Sequence, residues 1–324
     1  MLAPFRIRDI AVDPPLILAP MAGYTSSPMR LLAREAGCGL VVSEVIAVKG
    51  ILHGNRTTFA LMHFEEAERP IGIQLLSGAP DEIAAAIPAV EERRPDFIDI
   101  NLACPKHKVT SKREGGALLD DPQRAVAVVR AACRAARGPV TAKLRLAYGE
   151  DMESFVDLCR AFVDCGAAAL ALHPRTVPQG LSGRARWEVF PALAPRLGVP
   201  LIASGDVRTP QDAATLFSMG CAGVMIGRAA VGNPGLIGHV ARVLRGEPSE
   251  PPTCADRLAM CLRHLGLLRE QKGDRTAVLE LRKQLTRYLR EIPHAQETAR
   301  RLIPITDAEE LRIAIESIAR EVRS

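Results

Sequence analysis

Eight times before residue 246, a short apolar run rich in β-forming residues gives way to a longer, alanine-rich amphipathic stretch. The runs Leu16–Ala19, Leu40–Val45, Ile71–Leu76, Phe97–Leu102, Val140–Leu146, Ala169–His173, Pro200–Ser204 and Gly223–Ile226 predict strands. Between them, Asp81–Arg93, Pro122–Ala136, Met152–Cys165, Pro210–Met219 and Pro234–Leu244 predict helices. Asp121-Pro122 and Thr209-Pro210 each place a capping side chain before a proline in the first helical position. Eight strand–helix units in roughly 250 residues match the count and size of a (β/α)8 TIM barrel, an α/β fold. An open doubly wound sheet alternates in the same way and is the rival. The first strand is not followed by a GxGxxG turn, which weakens the dinucleotide-binding form of that rival.

At Gly246-Glu247-Pro248-Ser249-Glu250-Pro251-Pro252 the alternation stops, because such a stretch does not stay helical. Beyond it Cys254–Gln271, Thr276–Arg290, Gln296–Leu302 and Asp307–Arg323 read as helices, and no strand signal is left. The expected organisation is a barrel over residues 1–246 and a small all-helical domain over 253–324.

Composition narrows the class. The 324 residues are 48% hydrophobic and only 4% aromatic, which suits helices on an apolar sheet better than a β-sandwich. Eight scattered cysteines form no CxxC pair, and no metal-ligand spacing appears. The N-terminus lacks a signal-peptide pattern, and no apolar run approaches a membrane span. These features predict a reduced, cytoplasmic protein without a metal, a membrane association or an implied protein partner. A net charge of +5 is mild, so its distribution matters more than its size.

Barrel chemistry sits where strands end. The fourth strand exits through Asn101-Leu102-Ala103-Cys104-Pro105 into Lys106, Lys108, Lys112 and Arg113, then Gly115-Gly116. A free cysteine is usually a small buried hydrophobe. Cys104 departs from that expectation by its position, a thiol at a strand exit beside a cationic loop. The other strand ends supply Pro20-Met21-Ala22-Gly23, Ser43-Glu44, Gln74, Lys143 with Arg145, His173 with Arg175, Ser204-Gly205-Asp206 and Gly227-Arg228. Taken singly, a Gln or His there is most often an ordinary hydrogen-bonded residue. Lys143 is harder to dismiss, because an ammonium in a buried strand must meet something polar. Glycines, free backbone N–H groups and a guanidinium at the seventh and eighth strand ends make a phosphate site. Lys143 and His173 would face the rest of a phosphate-bearing cofactor, and flavin mononucleotide fits.

These residues, in this order, resemble the tRNA-dihydrouridine synthase family over essentially the full chain. The resemblance is carried by Ala19-Pro20-Met21-Ala22-Gly23-Tyr24-Thr25, Asn101 to Pro105 with Lys108-Val109, His173-Pro174-Arg175-Thr176 and Gly183 to Trp187. Ser204-Gly205-Asp206-Val207, Val224 to Ala229 and Leu281 to Tyr288 extend it. The family usually has Asn at Ser204, Gly at Ala103, a small residue at Pro174 and an aromatic at Arg287. The resemblance implies an FMN barrel and a helical RNA-binding domain. It implies FMN on the backbone of Pro20, Met21 and Ala22, with Gln74, Lys143 and His173 around the ring. Ser204, Gly205, Asp206, Gly227 and Arg228 would hold ribityl and phosphate. It further implies Cys104 as proton donor, Asn101 as orienter of the target base, and NADPH (or NADH) as soluble reductant. Uracil C5=C6 reduction needs a hydride on one carbon and a proton on the other. A thiol near its ordinary pKa of about 8.5 is protonated at neutral pH yet able to give its proton up.

A base stacked within folded RNA cannot reach such a pocket and must be extruded, which calls for a grip on phosphates. Lys106, Lys108, Lys112 and Arg113 give one basic cluster, and Arg282, Lys283, Arg287 and Arg290 another, with Arg175 added to the RNA-facing set. A charge run is ordinarily a solvated helix face; two clusters in a weakly charged chain favour tRNA as partner. Two rivals stay open. One is an FMN barrel acting on a free pyrimidine, as dihydroorotate and dihydropyrimidine dehydrogenases do, which would have no need of the helical extension. The other is a non-catalytic RNA chaperone, which would have no need of Cys104, Lys143 and His173.

Overall fold

A computed structural model describes residues 3–147, 151–292 and 294–322. The strands are β1 (Phe5–Ile7), β2 (Ile10–Val12), β3 (Leu16–Leu18), β4 (Leu40–Val42), β5 (Ile46–Ala47) and β6 (Ile71–Leu76). They continue as β7 (Phe97–Leu102), β8 (Val140–Leu146), β9 (Ala169–Thr176), β10 (Leu201–Ser204) and β11 (Gly223–Ile226). β3, β4 and β6 to β11 pair in parallel, and β11 returns to β3, so the sheet closes into an eight-stranded barrel. Closure removes the open-sheet rival.

The side-chain period of two explains how polar residues enter apparently apolar strands. Ile98, Ile100 and Leu102 face the helices and join the large outer core, as do Val140, Ala142 and Leu144. Phe97, Asp99 and Asn101 take the other face and point into the barrel, with Thr141, Lys143 and Arg145 beside them in register. Apolar residues fill the lower interior, where Ile17, Phe97, Ala169, Ile202 and Met225 pack against Ile7 and Val12 of the β1–β2 hairpin. Gly72 admits the Phe97 ring, since a Cβ there would lie 2.3 Å from it. Polar residues are left for the upper end.

The sequence reading missed the β1–β2 hairpin and the segment after β4. The expected strand Leu40–Val45 stops at Val42, because Ser43 bends to receive the Gln74 N–H on its Oγ (3.0 Å). β9 runs past His173 to Thr176, with a register shift where it meets Arg145 and Leu146. The cap expectations hold. Asp121 accepts from Arg124 N–H, and Thr209 forms a reciprocal capping box with Asp212.

After the linker come helices Cys254–Lys272, Asp274–Tyr288, Ala295–Leu302 and Ala308–Glu321. They share a separate core of Leu258, Cys261, Leu265, Leu281, Leu285, Tyr288, Leu311 and Ile315. Pro293 and Arg323, placed at helix boundaries in the sequence reading, lie outside the described residues. The first of these helices rests on the helix Ser27–Glu35, with Leu267 on Leu31 and Leu32 and Arg263 paired to Glu35 at 2.8 Å. The second reaches the barrel mouth. Gln284 Nε2 donates to Tyr24 O (3.4 Å), and the backbone at Arg287 lies against Gly232, where a Cβ would come within 2.5 Å.

Candidate active site

The upper interior is organised by a chain of hydrogen bonds across β6, β7 and β8. Thr141 Oγ1 donates to Asp99 Oδ1 (2.6 Å), and Gln74 Nε2 donates to Asp99 Oδ2 (2.7 Å). Asn101 Nδ2 donates to Gln74 Oε1 (2.7 Å), and Asn101 Oδ1 accepts from the N–H groups of Ala103 (3.0 Å) and Cys104 (2.9 Å). A carboxylate that only accepts stands at one end and N–H groups that only donate at the other. Both amides are therefore held in one orientation. Each keeps one further N–H for a ligand.

Cys104 is half-buried at the end of this chain. Its loop is fastened twice more: Arg145 Nε donates to Ala103 O (2.8 Å), and Gly116 N–H to Cys104 O (3.0 Å). Gly115, at φ +60°, lies so close that a Cβ would sit 3.0 Å from Cys104 Cβ. Here glycine is required both for the left-handed backbone and for the close approach. Arg145, to which the sequence reading gave no role, also holds Thr176 O (3.1 Å) and Gly180 O (2.7 Å), tying two strand-end loops together. Its signal in the sequence was the alternation Thr141, Lys143, Arg145 on one strand face.

Lys143 is buried, and burial pushes its ammonium down to about 8, against the opposing pull of Asp99. Burial in turn raises the Asp99 carboxyl. His173 is driven down to about 2 by burial and by Lys143, Arg145, Arg175 and Arg228, so it is a neutral imidazole. Burial also lowers Arg145, to about 10.

The seventh and eighth strand ends meet the first. Gly227 lies beside Ala19 and Met21, and Thr25 Oγ1 accepts from Met21 N–H (2.9 Å), which shapes the Pro20-Met21-Ala22 turn. Ser204 is buried, and Gly205 (φ +102°) packs on the edge of His173, 2.6 Å from Cδ2 at its hypothetical Cβ. Asp206 has positive φ and receives the Arg175 guanidinium (2.6 Å), the Ala185 N–H (2.9 Å) and Arg228 (3.2 Å). Burial pushes its carboxyl upward, but the Ala185 N–H and Arg175 hold it below the ordinary carboxylate value. A carboxylate so engaged holds two guanidinium groups, those of Arg175 and Arg228, at the seventh and eighth strand ends.

Two basic residues are not where the sequence placed them. Arg175 is 1% exposed and bonded to internal partners through all three of its nitrogens, so it does not belong to an RNA-facing surface. Arg282 is half-buried and turns its guanidinium to the carbonyl of Ile305 inside the helical unit. Lys106, Lys108, Lys112 and Arg113 are exposed around the short helix His107–Thr110, and Lys283, Arg287 and Arg290 are exposed on the far side of the mouth. Arg287 is near enough to Arg228 to perturb it.

The residues fit FMN on their own chemistry. Lys143, Arg145, Arg175 and Arg228 outnumber Asp99 and Asp206, a surplus that suits a phosphate-bearing anion. The spare N–H of Gln74, with the Lys143 ammonium, suits a heterocycle rich in acceptors. The donor set contains no metal cluster: among the described residues no group of His, Cys, Asp or Glu is arranged to hold an ion.

Comparison with known proteins agrees with this geometry. The family model for dihydrouridine synthase (Dus) matches residues 17–323. The chain is 33% identical over 310 residues to the probable tRNA-dihydrouridine synthase 1 of Synechocystis, covering 95% of this chain and 87% of that protein. It is 35% identical over 294 residues to tRNA-dihydrouridine synthase B of Xanthomonas axonopodis pv. citri, covering 90% and 89%. Among solved structures, morphinone reductase in complex with tetrahydroNAD aligns with a TM-score of 0.52 at 14% identity, over 79% of this chain and 93% of that one. The old yellow enzyme of Trypanosoma cruzi gives 0.53 at 13%, over 79% and 94%. At such identities the structures speak for the barrel alone. The sequence relationships go further, and they place this chain in the dihydrouridine synthase family.

Proposed function

We propose that the protein reduces the C5=C6 bond of uridines in tRNA to dihydrouridine, with Cys104 as proton donor. The observation that carries this reading is the convergence of Cys104, Asn101, Lys143 and His173 at one barrel mouth, flanked by two exposed basic surfaces. When bound, FMN would supply the hydride for C6, with NADPH or NADH as the soluble reductant. Cys104 supplies the other hydrogen: its S–H bond breaks, the C5–H bond forms, and solvent returns a proton to the thiolate. Asn101 sets the position of that thiol through the Cys104 N–H, and its second N–H is free to hold a uracil oxygen. Gln74, Lys143 and His173 would border the ring of the cofactor. Ser204, Gly205, Gly227 and Arg228 would hold ribityl and phosphate, and the Pro20-Met21-Ala22 backbone would support the isoalloxazine.

We assign residues 1–246 to catalysis and 253–324 to RNA binding. Lys283, Arg287 and Arg290 on one side, and Lys106, Lys108, Lys112 and Arg113 on the other, would grip phosphates while the uridine is extruded between them. All eight cysteines are free, as suits the cytoplasm, and no described helix is long and apolar enough to cross a membrane.

The reading is tested by mass spectrometry of tRNA incubated with the purified protein, FMN and NADPH. Dihydrouridine is the expected product. Reduction of free uracil or dihydroorotate chemistry with untouched tRNA would overturn it. A pH dependence follows from Lys143. Below about 8 the ammonium is charged and favours an anionic ring; above it the charge is lost. FMN affinity is expected to fall as pH rises through about 8, and Lys143→Arg is expected to remove that dependence of affinity on pH. Fluorescence titration of FMN across this range is the check.

A further inference from the structure

We propose that Arg175 is a positioning residue that fixes the tautomer of His173, so that the imidazole meets its ligand as a hydrogen-bond donor at Nδ1. The proposal rests on the proposed function in one respect, that His173 borders the flavin.

The geometry leaves one arrangement. Arg175 Nη1 lies 3.0 Å from His173 Nε2. A guanidinium has only donors and keeps its charge, so Nε2 must accept and carries no proton. The single proton of the neutral ring is then on Nδ1. An Nε2–H would set two donors against each other, and an imidazolium would add a cation facing a cation. Flipping the ring would turn Cε1–H to the guanidinium and lose the bond.

Arg175 is held in place on its other sides. Nε donates to Ser182 O (3.0 Å), and Nη2 to Gly183 O (2.7 Å) and Asp206 Oδ2 (2.6 Å). The Cδ2–Nε2 edge of His173 is closed further by Gly205, whose hypothetical Cβ would lie 2.6 Å from Cδ2 and 2.9 Å from Nε2. The opposite edge, bearing Nδ1, is the one left to a ligand. The charged groups facing the ring are Lys143, Arg145, Arg175 and Arg228, all cations, and together with burial they keep it neutral. The isoalloxazine pyrimidine ring offers carbonyl oxygens, which take a donor and refuse an acceptor. Arg175 thereby decides which kind of ring edge His173 can recognise, without touching the cofactor.

Histidine-selective 15N NMR on the full chain reads the tautomer directly, in FMN-loaded and FMN-free protein. The expected result is a protonated Nδ1 and a bare Nε2 for His173 throughout about pH 6 to 8, where an ordinary histidine titrates. In Arg175→Met the proton is expected to spread over both nitrogens. A wild-type Nε2–H or imidazolium overturns the proposal, and so does an unchanged tautomer in a folded Arg175→Met. Should that variant fail to fold, FMN titration of two others decides, because an asparagine amide nitrogen occupies the Nδ1 position and a glutamine amide the Nε2 position. His173→Asn is expected to bind FMN within about tenfold of wild type and His173→Gln at least about tenfold more weakly than His173→Asn. The reverse order overturns the Nδ1 assignment. If the wild type binds no flavin, the proposed function falls, while the tautomer in the cofactor-free protein still decides the role of Arg175.

Discussion

Cys104→Ala is expected to lower dihydrouridine formation by about 10²–10⁴-fold, the usual contribution of a positioned general acid. FMN should remain bound, because the groups proposed to face the cofactor lie on β6, β8, β9 and β10 and in the loops after β3, β10 and β11, while the thiol sits on the loop after β7. The loop itself should survive the change. Asn101 Oδ1, Arg145 and Gly116 hold it through backbone atoms of Ala103 and Cys104, which alanine retains. Single-turnover reduction of tRNA, measured beside the rate of flavin reduction by NADPH, separates the two halves of the reaction. The first should collapse and the second should not. A variant that forms dihydrouridine within about threefold of wild type would remove Cys104 from the mechanism.

The largest expected loss of stability lies outside the site. Arg30 Nε meets Glu68 Oε2 at 2.5 Å, and both side chains are essentially inaccessible to solvent. The pair is embedded in further bonds: Arg30 to Thr25 O (2.8 Å) and His63 O (2.9 Å), and Ser27 Oγ to Glu68 Oε1 (2.5 Å). Arg30→Met leaves a buried carboxylate without its counter-charge, and removing one partner of a buried pair costs about 3–5 kcal/mol. Urea unfolding of wild type and variant is the measurement. The double variant Arg30→Met with Glu68→Gln should recover part of the loss, because no charge is then stranded. If the single variant matched wild type, the pair would be contributing nothing despite its burial. Thr25 shapes the Pro20-Met21-Ala22 turn, so the same variant is expected to weaken FMN binding as well.

Much of the fold is legible in the sequence because it rests on periodicity. The eight barrel strands and the helices flanking the linker follow from alternating and 3.6-residue patterns that burial imposes. What escapes is set by tertiary contact. β1 and β2 are three residues each, too short for a pattern, and exist because the barrel floor needs Ile7 and Val12. Ser43 and Glu44 look like strand continuation until the Gln74 backbone claims the Ser43 hydroxyl. In the site, residue type and strand-end position together locate Asn101, Cys104, Lys143 and His173. They do not say which arginine faces solvent. Arg175 and Arg287 are equally plausible phosphate contacts as letters; one is enclosed by Ser182, Gly183 and Asp206, and the other stands exposed. Arg145 was visible but silent, since its role consists of three carbonyl oxygens contributed by distant loops.

The contact between Gly232 and the backbone of Arg287 and Tyr288 bears on how an enzyme of this architecture can change its target nucleotide. The helix that offers Lys283, Arg287 and Arg290 has no clearance over the loop following β11, and Gln284 anchors it to the loop following β3. Both loops also belong to the proposed flavin seat. Re-aiming that helix toward a different uridine therefore cannot be done by surface substitutions alone. Under the proposed function it requires rebuilding the rim of the cofactor pocket at the same time, so that substrate register and cofactor seat would evolve as one inheritance.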